Sequence, residues 1–573
     1  MMRVCGVALA LVALLPSSCR QPPADPADPA DLVLLNGRVV TLDSAMPTAE
    51  AVAIRGDRVL AVGSNRAIEA FIGPATHRVE LGGRLTIPGF IEGHGHFMGL
   101  GSSRLHLNLT RARNWDDIVS LVQAATRDIA AGAWISGRGW HQEKWEHPPS
   151  PAVEGMPLHA SLDSVSPGNP VFLVHASGHA AMVNGLALKL AGITRRTANP
   201  PGGEIVRGPD GEATGVLRET AQQLVRKRLA EWEASRSPAE KEAEALKMVE
   251  LAGQDVLSKG ITTFHDAGSP FETIDLFRRL AEQGRLPVRL YAMVGGEPTD
   301  SLRARLPAYR MQGVGGNFLT VRCIKLVADG ALGSHGAWLL APYEDLKSSV
   351  GLATTPVEVL EERARIALAD SFQVATHAIG DRANREVLNV YQRVMAGRSG
   401  LRWRVEHAQH LDPADIPRFA QLGVIASMQG IHATSDGPWV LKRLGPARAE
   451  RGAYVWRSLL ASGAVVTNGT DVPVEDANPI ASFYASVSRR LPDGTRFFPD
   501  QRMTREEALR SYTVNNAYSA FEEGLKGRLR PGLLADIAVL SQDILTVPED
   551  RIPETRVIYT ILGGKLVYEA PNQ

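Results

Sequence analysis

Apolar and polar residues alternate at both ends of the chain, whereas the middle gathers its apolar residues into short runs separated by charged, amphipathic stretches. DLVLLNGRVVTLD, AEAVAIRGDRVLAVGS and HRVELGGRLTIPGF show the period of two of half-buried strands, with hairpin signals at Asn36-Gly37 and Gly56-Asp57. The texture returns in GRLRPGLLADIAVLS and TRVIYTILGGKLVYE, where Gly563-Gly564 is the turn. Residues 32–86 and 522–573 are therefore predicted to form one small β-sandwich domain built from both chain ends.

Residues 87–521 carry eight apolar runs predicted as strands: 85–91, 261–264, 288–294, 319–327, 373–376, 402–406, 423–427 and 464–467. Between them lie segments such as PAEKEAEALKMVELAGQDVLSKG and TPVEVLEERARIALADS, whose spacing is helical. Eight strand–helix units predict an α/β fold, a (β/α)8 TIM barrel. The long gap after strand 1 leaves room for a large insert, about residues 97–220. It holds Trp115, Trp134, Trp140 and Trp145, which either line a substrate pocket or form the insert's own core.

Composition narrows the partner class. Lys and Arg number 62 and Asp and Glu 62, so no basic field exists to attract a nucleic acid. Arg3, the apolar run at 4–15 and the small residues before Cys19 read as an export signal, followed by a tether with Pro-Ala-Asp three times over. The segment resembles a bacterial lipoprotein signal with Cys19 as the lipidated residue, with a plain secretory signal as the alternative. Either way residues 1–31 stay out of the fold, and the protein is expected to be exported, periplasmic or membrane-anchored. Cys323 is the remaining cysteine, so no disulfide framework is expected.

The polar residues converge at the strand ends. PGFIEGHGH places His94 and His96 at the end of strand 1, VATHAIGD places His377 at the end of strand 5, and WRVEHAQH places His407 at the end of strand 6. Strand 8 runs into VVTNGTDVPV with Asp471, and Lys325 lies inside strand 4. A lone strand-end histidine is commonly a hydrogen-bonded core residue, but barrels of this kind keep their active sites at the C-terminal ends of the strands. Four imidazoles and a carboxylate on that face suit a divalent metal such as zinc. Desolvation lowers the pKa of a lysine within an apolar strand. Lys325 is then either carboxylated, giving an anionic ligand able to bridge two ions, or paired with a carboxylate such as Asp329.

PGFIEGHGH, IKLVADGALGS, THAIGD, RVEHAQ and NGTDVPV, in this order, resemble the amidohydrolase superfamily, and within it the amidohydrolase-3 branch that includes N-substituted formamide deformylases. SGHAAMVNGLAL and GEATGVLRE are similar to that branch's insert. The resemblance implies that His94, His96, Lys325, His377, His407 and Asp471 hold one or two metals, two if Lys325 is carboxylated. It departs from the branch at Ser177, where an aspartate is usual, and at His335-Gly336, where Arg-Thr is common; both bear on the substrate pocket.

The expected reaction is hydrolysis of a non-peptide C–N bond in a small molecule, an amide, N-formyl group or cyclic amide. Asp471 is the expected general base and acid, His179 an oxyanion donor, and Trp140, His141 and His335 candidate pocket residues. The alternatives are a one-metal deaminase, whose usual glutamate after strand 5 is replaced by AIGDRAN, and an exported metal- or ligand-binding lipoprotein without turnover.

Overall fold

The computed structural model describes residues 29–140, 142, 145–175, 180–200, 203–333 and 335–571. Cys19 and the rest of 1–28 lie outside them, but the expectation that residues 1–31 stay out of the fold fails at its end: Ala30 is buried in a core cluster, its N–H donates to Phe71 O at 2.8 Å, and Asp31 N–H donates to Ile54 O at 2.8 Å. Eight parallel strands make the central sheet: β1 (Phe90–Gly95), β2 (Ile261–Ser269), β3 (Arg289–Val294), β4 (Leu319–Val327), β5 (Gln373–Ala378), β6 (Arg404–His407), β7 (Ile425–Gln429) and β8 (Val466–Gly469). Each pairs parallel with the next, from β1·β2 to β7·β8, with register shifts in the first three pairings. The ring closes beyond the end of β8, where Asp471 N–H donates to His94 O at 2.7 Å and His96 N–H to Val472 O at 2.8 Å. This is a TIM barrel.

Helices cover the barrel where the sequence shows apolar faces. Asp381–Met395, between β5 and β6, buries Val387, Leu388, Tyr391 and Val394 against the sheet. Pro238–Leu257 begins with proline at its first position and a capping box between Ser237 and Glu240, which satisfies amides the helix cannot pair itself. Among the described residues no helix is long and apolar enough to cross a membrane.

Two further sheets use the chain ends, the first the N-terminal end alone and the second both ends. One has the order Arg58–Gly63, Ala51–Arg55, Leu32–Leu35, His77–Glu80. The other runs Lys565–Glu569, Val557–Leu562, Ile537–Leu540, Leu85–Pro88, Arg38–Val40, Thr48–Ala49. Leu34, Val52, Ile54, Ile537, Val539 and Ile561 share a core cluster drawn from both sheets.

The predicted strand at 85–91 is two strands. Leu85–Pro88 belongs to the chain-end sheet and β1 starts at Phe90. The chain changes sheets at Gly89, whose N–H donates to Asp536 O at 2.9 Å and whose missing side chain makes room for Thr262, 2.3 Å from where a Cβ would stand.

The stretch after β1 carries a six-stranded mixed sheet, from Leu107–Asn108 to Ala213–Glu219. One core cluster there contains Trp115, Trp140, Leu173 and Met182, and another contains Trp134, Phe172, Ala181 and Leu217. Trp140, a pocket candidate from the sequence, is 0% exposed; its Nε1–H donates to Leu173 O at 2.9 Å and its ring stacks on Trp145. It is a residue of the insert's core, with its one polar group paired as a buried indole requires.

Candidate metal centre

The closure of the barrel builds the site. The two hydrogen bonds between the end of β1 and the residues after β8 set His94, His96 and Asp471 side by side, with Asp471 Oδ1 3.1 Å from His96 Nε2 and 3.5 Å from His94 Nε2. Ligand atoms of these three residues lie within 4.8 Å of one another. Asp471 has a φ of +58° and His407 a φ of +72°, left-handed values that side chains rarely adopt and that turn both residues out of the strand pattern. Glu92, two residues before His94, fastens the same corner: it accepts from Thr470 N–H at 2.6 Å, and burial lifts its carboxyl to about 8.

The remaining histidines pack around His94. Ring centroids lie 4.8 Å apart for His94 and His407 and 4.4 Å apart for His377 and His407. Burial, then the charge of Lys325, holds the His94 ring at about 4 and the His377 ring at about 3, so both are neutral at physiological pH, the state in which imidazole ligates metals. His94 Nδ1 bonds Glu406, which leaves Nε2 toward Asp471 and Lys325. His407 Nδ1 is bonded to Gln429 Oε1 at 2.7 Å.

Lys325 Nζ stands 3.3 Å from His94 Nε2, and burial lowers its pKa. Asp329 is not its counter-ion. That carboxylate accepts backbone N–H bonds from Trp338, Ile379 and Gly380 at 2.8–3.0 Å and approaches His377 instead. No ion pair joins Lys325 to a carboxylate among the described residues.

Three buried atoms here make no hydrogen bond: Asp471 Oδ1, His377 Nε2 and His432 Nε2. Buried polar groups are ordinarily paired, and unpaired imidazole nitrogens beside an unpaired carboxylate oxygen are the donors a divalent metal takes. The residues therefore fit a metal ion.

His335, the other described pocket candidate, is engaged within its own loop by Asp345 at 3.1 Å and by the edge of Tyr343. His141 and His179 lie outside the described residues.

Sequence reasoning missed Glu406, Arg404, Glu92 and His432. Arg404 lies fully buried and clasps Glu406 through Nε at 2.6 Å and Nη2 at 2.9 Å, while donating also to Gly93 O and Ser427 Oγ. Burial works against the Glu406 carboxylate, but Arg404 and His94 hold it ionised. His432 opens the helix Gly430–Leu444 directly after β7, and its ring stacks on His407 at 6.3 Å. The signal available for it was MQGIHATSD, a histidine just past a strand's C-terminal end.

Comparison with known proteins bears on this geometry. The profile of the Amidohydrolase family matches residues 78–568. The chain is 33% identical over 556 residues to the protein LONG AFTER FAR-RED 3 of Arabidopsis thaliana, covering 94% of this chain and 92% of that one. It is 27% identical to an N-substituted formamide deformylase of Arthrobacter pascens, covering 94% and 98%. Its fold is similar to the crystal structure of an uncharacterized metal-dependent hydrolase from Pyrococcus furiosus, with a TM-score of 0.72, 26% identity, and 90% of this chain and 100% of that one covered.

Proposed function

The chain belongs to the amidohydrolase family, and on that premise we propose that it is a metal-dependent hydrolase of small molecules that cleaves a non-peptide C–N bond in an amide, an N-formyl group or a cyclic amide. The observation that carries this reading is Asp471 Oδ1, buried and without a hydrogen bond although His94 and His96 stand beside it. His94, His96, Lys325, His377, His407 and Asp471 would hold one or two divalent ions, zinc being suited to imidazole and carboxylate donors. An ion bound there supplies a Lewis acid that acidifies water and polarises a carbonyl.

The chain's own groups do the rest. Asp471 accepts the proton of the attacking water and returns it to the nitrogen as the C–N bond breaks. Neutral His94 and His377 add no competing positive charge. His179 donates to the oxygen of the carbonyl under attack. Lys325 forms no ion pair with a carboxylate among the described residues and burial disfavours its ammonium, which supports carboxylation: the neutral amine adds carbon dioxide and releases a proton, leaving a carbamate anion. Similarity to an N-substituted formamide deformylase supports the N-formyl and amide classes. The export segment ending at Cys19 supports action outside the cytoplasm, free or lipid-anchored.

The test is amine release from a panel of N-formyl, acyl-amide and cyclic-amide compounds by the zinc-reconstituted protein. Release is expected from at least one class, and Asp471→Asn should lower it by about 10²–10⁴-fold. Turnover of esters alone would overturn the C–N assignment.

A further inference from the structure

His432 belongs to no part of the ligand set assigned above, yet it is 7% exposed and its Nε2 is buried without a hydrogen bond. It sits in the first turn of the helix that follows β7, on the same side of the barrel as the strand-end histidines. Its ring lies nearly parallel to that of His407, at an interplanar angle of 15°. Gln429, three residues earlier, occupies His407 Nδ1, so the donor atom left to His407 is Nε2. Ligand atoms of His407, His432 and Asp471 lie within 4.8 Å of one another, the same span that encloses His94, His96 and Asp471. The two triads meet at one carboxylate.

We propose that His432 is a metal ligand, which with His407 and Asp471 forms a second metal position beside that of His94, His96 and Asp471. The inference rests on the metal-dependent reading above and deepens it. Two imidazoles and a carboxylate are a sufficient protein donor set for zinc with an open place for water. One Asp471 oxygen would lie within reach of both positions, leaving the other to take the proton of the attacking water. The second ion then has three donors from unmodified side chains and does not depend on a carbamate at Lys325. A buried imidazole nitrogen left unbonded is costly, and ligation removes that cost.

The experiment is zinc stoichiometry by elemental mass spectrometry on the full chain after metal depletion and reconstitution, for the wild type, His432→Gln and His432→Leu, with circular dichroism as the check on folding. The wild type is expected to hold two ions and each folded variant one. Folded variants that keep two ions overturn the inference, as does a wild type that holds one. A wild type that holds none overturns the metal-dependent reading itself, so the two failures are distinguishable. Anomalous diffraction at the zinc edge from crystals of the loaded wild type asks the question without a substitution: an ion within bonding reach of His432 is expected, and two ions both remote from it would overturn the proposal.

Discussion

Glu406 accepts a hydrogen bond from His94 Nδ1 at the centre of the barrel, where both side chains are fully buried, and Arg404 donates to both oxygens of the same carboxylate. The bond fixes the proton of His94 on Nδ1 and leaves Nε2 as the atom facing Asp471. Outer carboxylates of this kind typically affect metal affinity by about 10–100-fold. Glu406→Gln is therefore expected to weaken zinc binding by about that factor, measured by chelator competition. An unchanged affinity in a folded variant would show that the bond does not orient the ligand.

The join between the barrel and the chain-end sheets rests on another buried pair. Arg289 at the start of β3 reaches Asp536 with Nε at 2.8 Å and Nη2 at 3.0 Å, and both side chains are at most 4% exposed. Removing one partner strands the other charge, so Asp536→Ala is expected to cost about 3–5 kcal/mol in urea unfolding. Replacing both residues by apolar ones of similar volume should recover much of that loss. A double variant as unstable as the single one would contradict the account.

Acid should weaken the helix Arg505–Ser511 before the core. Glu507 closes its capping box with Thr504 and pairs with Arg457 through both oxygens, and these bonds, that to Arg457 first, hold its carboxyl at about 2 against the usual 4.5. A depressed carboxyl pKa stabilises the fold above the unfolded value, and that part is lost as pH falls from about 4.5 toward 2. The stability gap between the wild type and Glu507→Gln, read by urea unfolding, should thus shrink over that window. A gap that stays constant or widens on acidification would refute the assignment.

Gly93 separates Glu92 from His94 and admits no side chain. A Cβ there would stand 2.3 Å from Asn468 O and 2.5 Å from Asn516 Oδ1, where β1 lies against β8. Gly93→Ala is expected to push β1 off β8 and to lower both thermal stability and zinc content. Full zinc content in Gly93→Ala would mean that the two strand ends are less coupled than the ladder at His94 and Asp471 implies.

The sequence made the barrel and its strand-end histidines legible because both depend on short-range pattern. His94 and His96 share a strand face by the period of two, and apolar runs followed by amphipathic segments mark strand–helix units. Glu406 was hidden by the same rule. Next to His407 it should face away from the centre, but the left-handed backbone at His407 breaks the alternation and lets both residues serve one site. His432 was hidden because it lies on a helix, beyond the strand end where the period of two applies. The split of the strand at 85–91 was illegible because Gly89 marks no break in hydrophobicity, only a change of neighbour from Asp536 to Thr262. Trp140 shows the converse: aromatic density in the insert signals a core as readily as a pocket.

The most direct measurement is the metal content of the purified, metal-replete protein, followed by its activity toward the N-formyl and amide panel before and after chelation. Tightly held divalent metal is expected, with loss of amine release when it is stripped and recovery on adding zinc back. A folded protein that binds no divalent metal, or that releases amine equally well without it, would contradict the central claim.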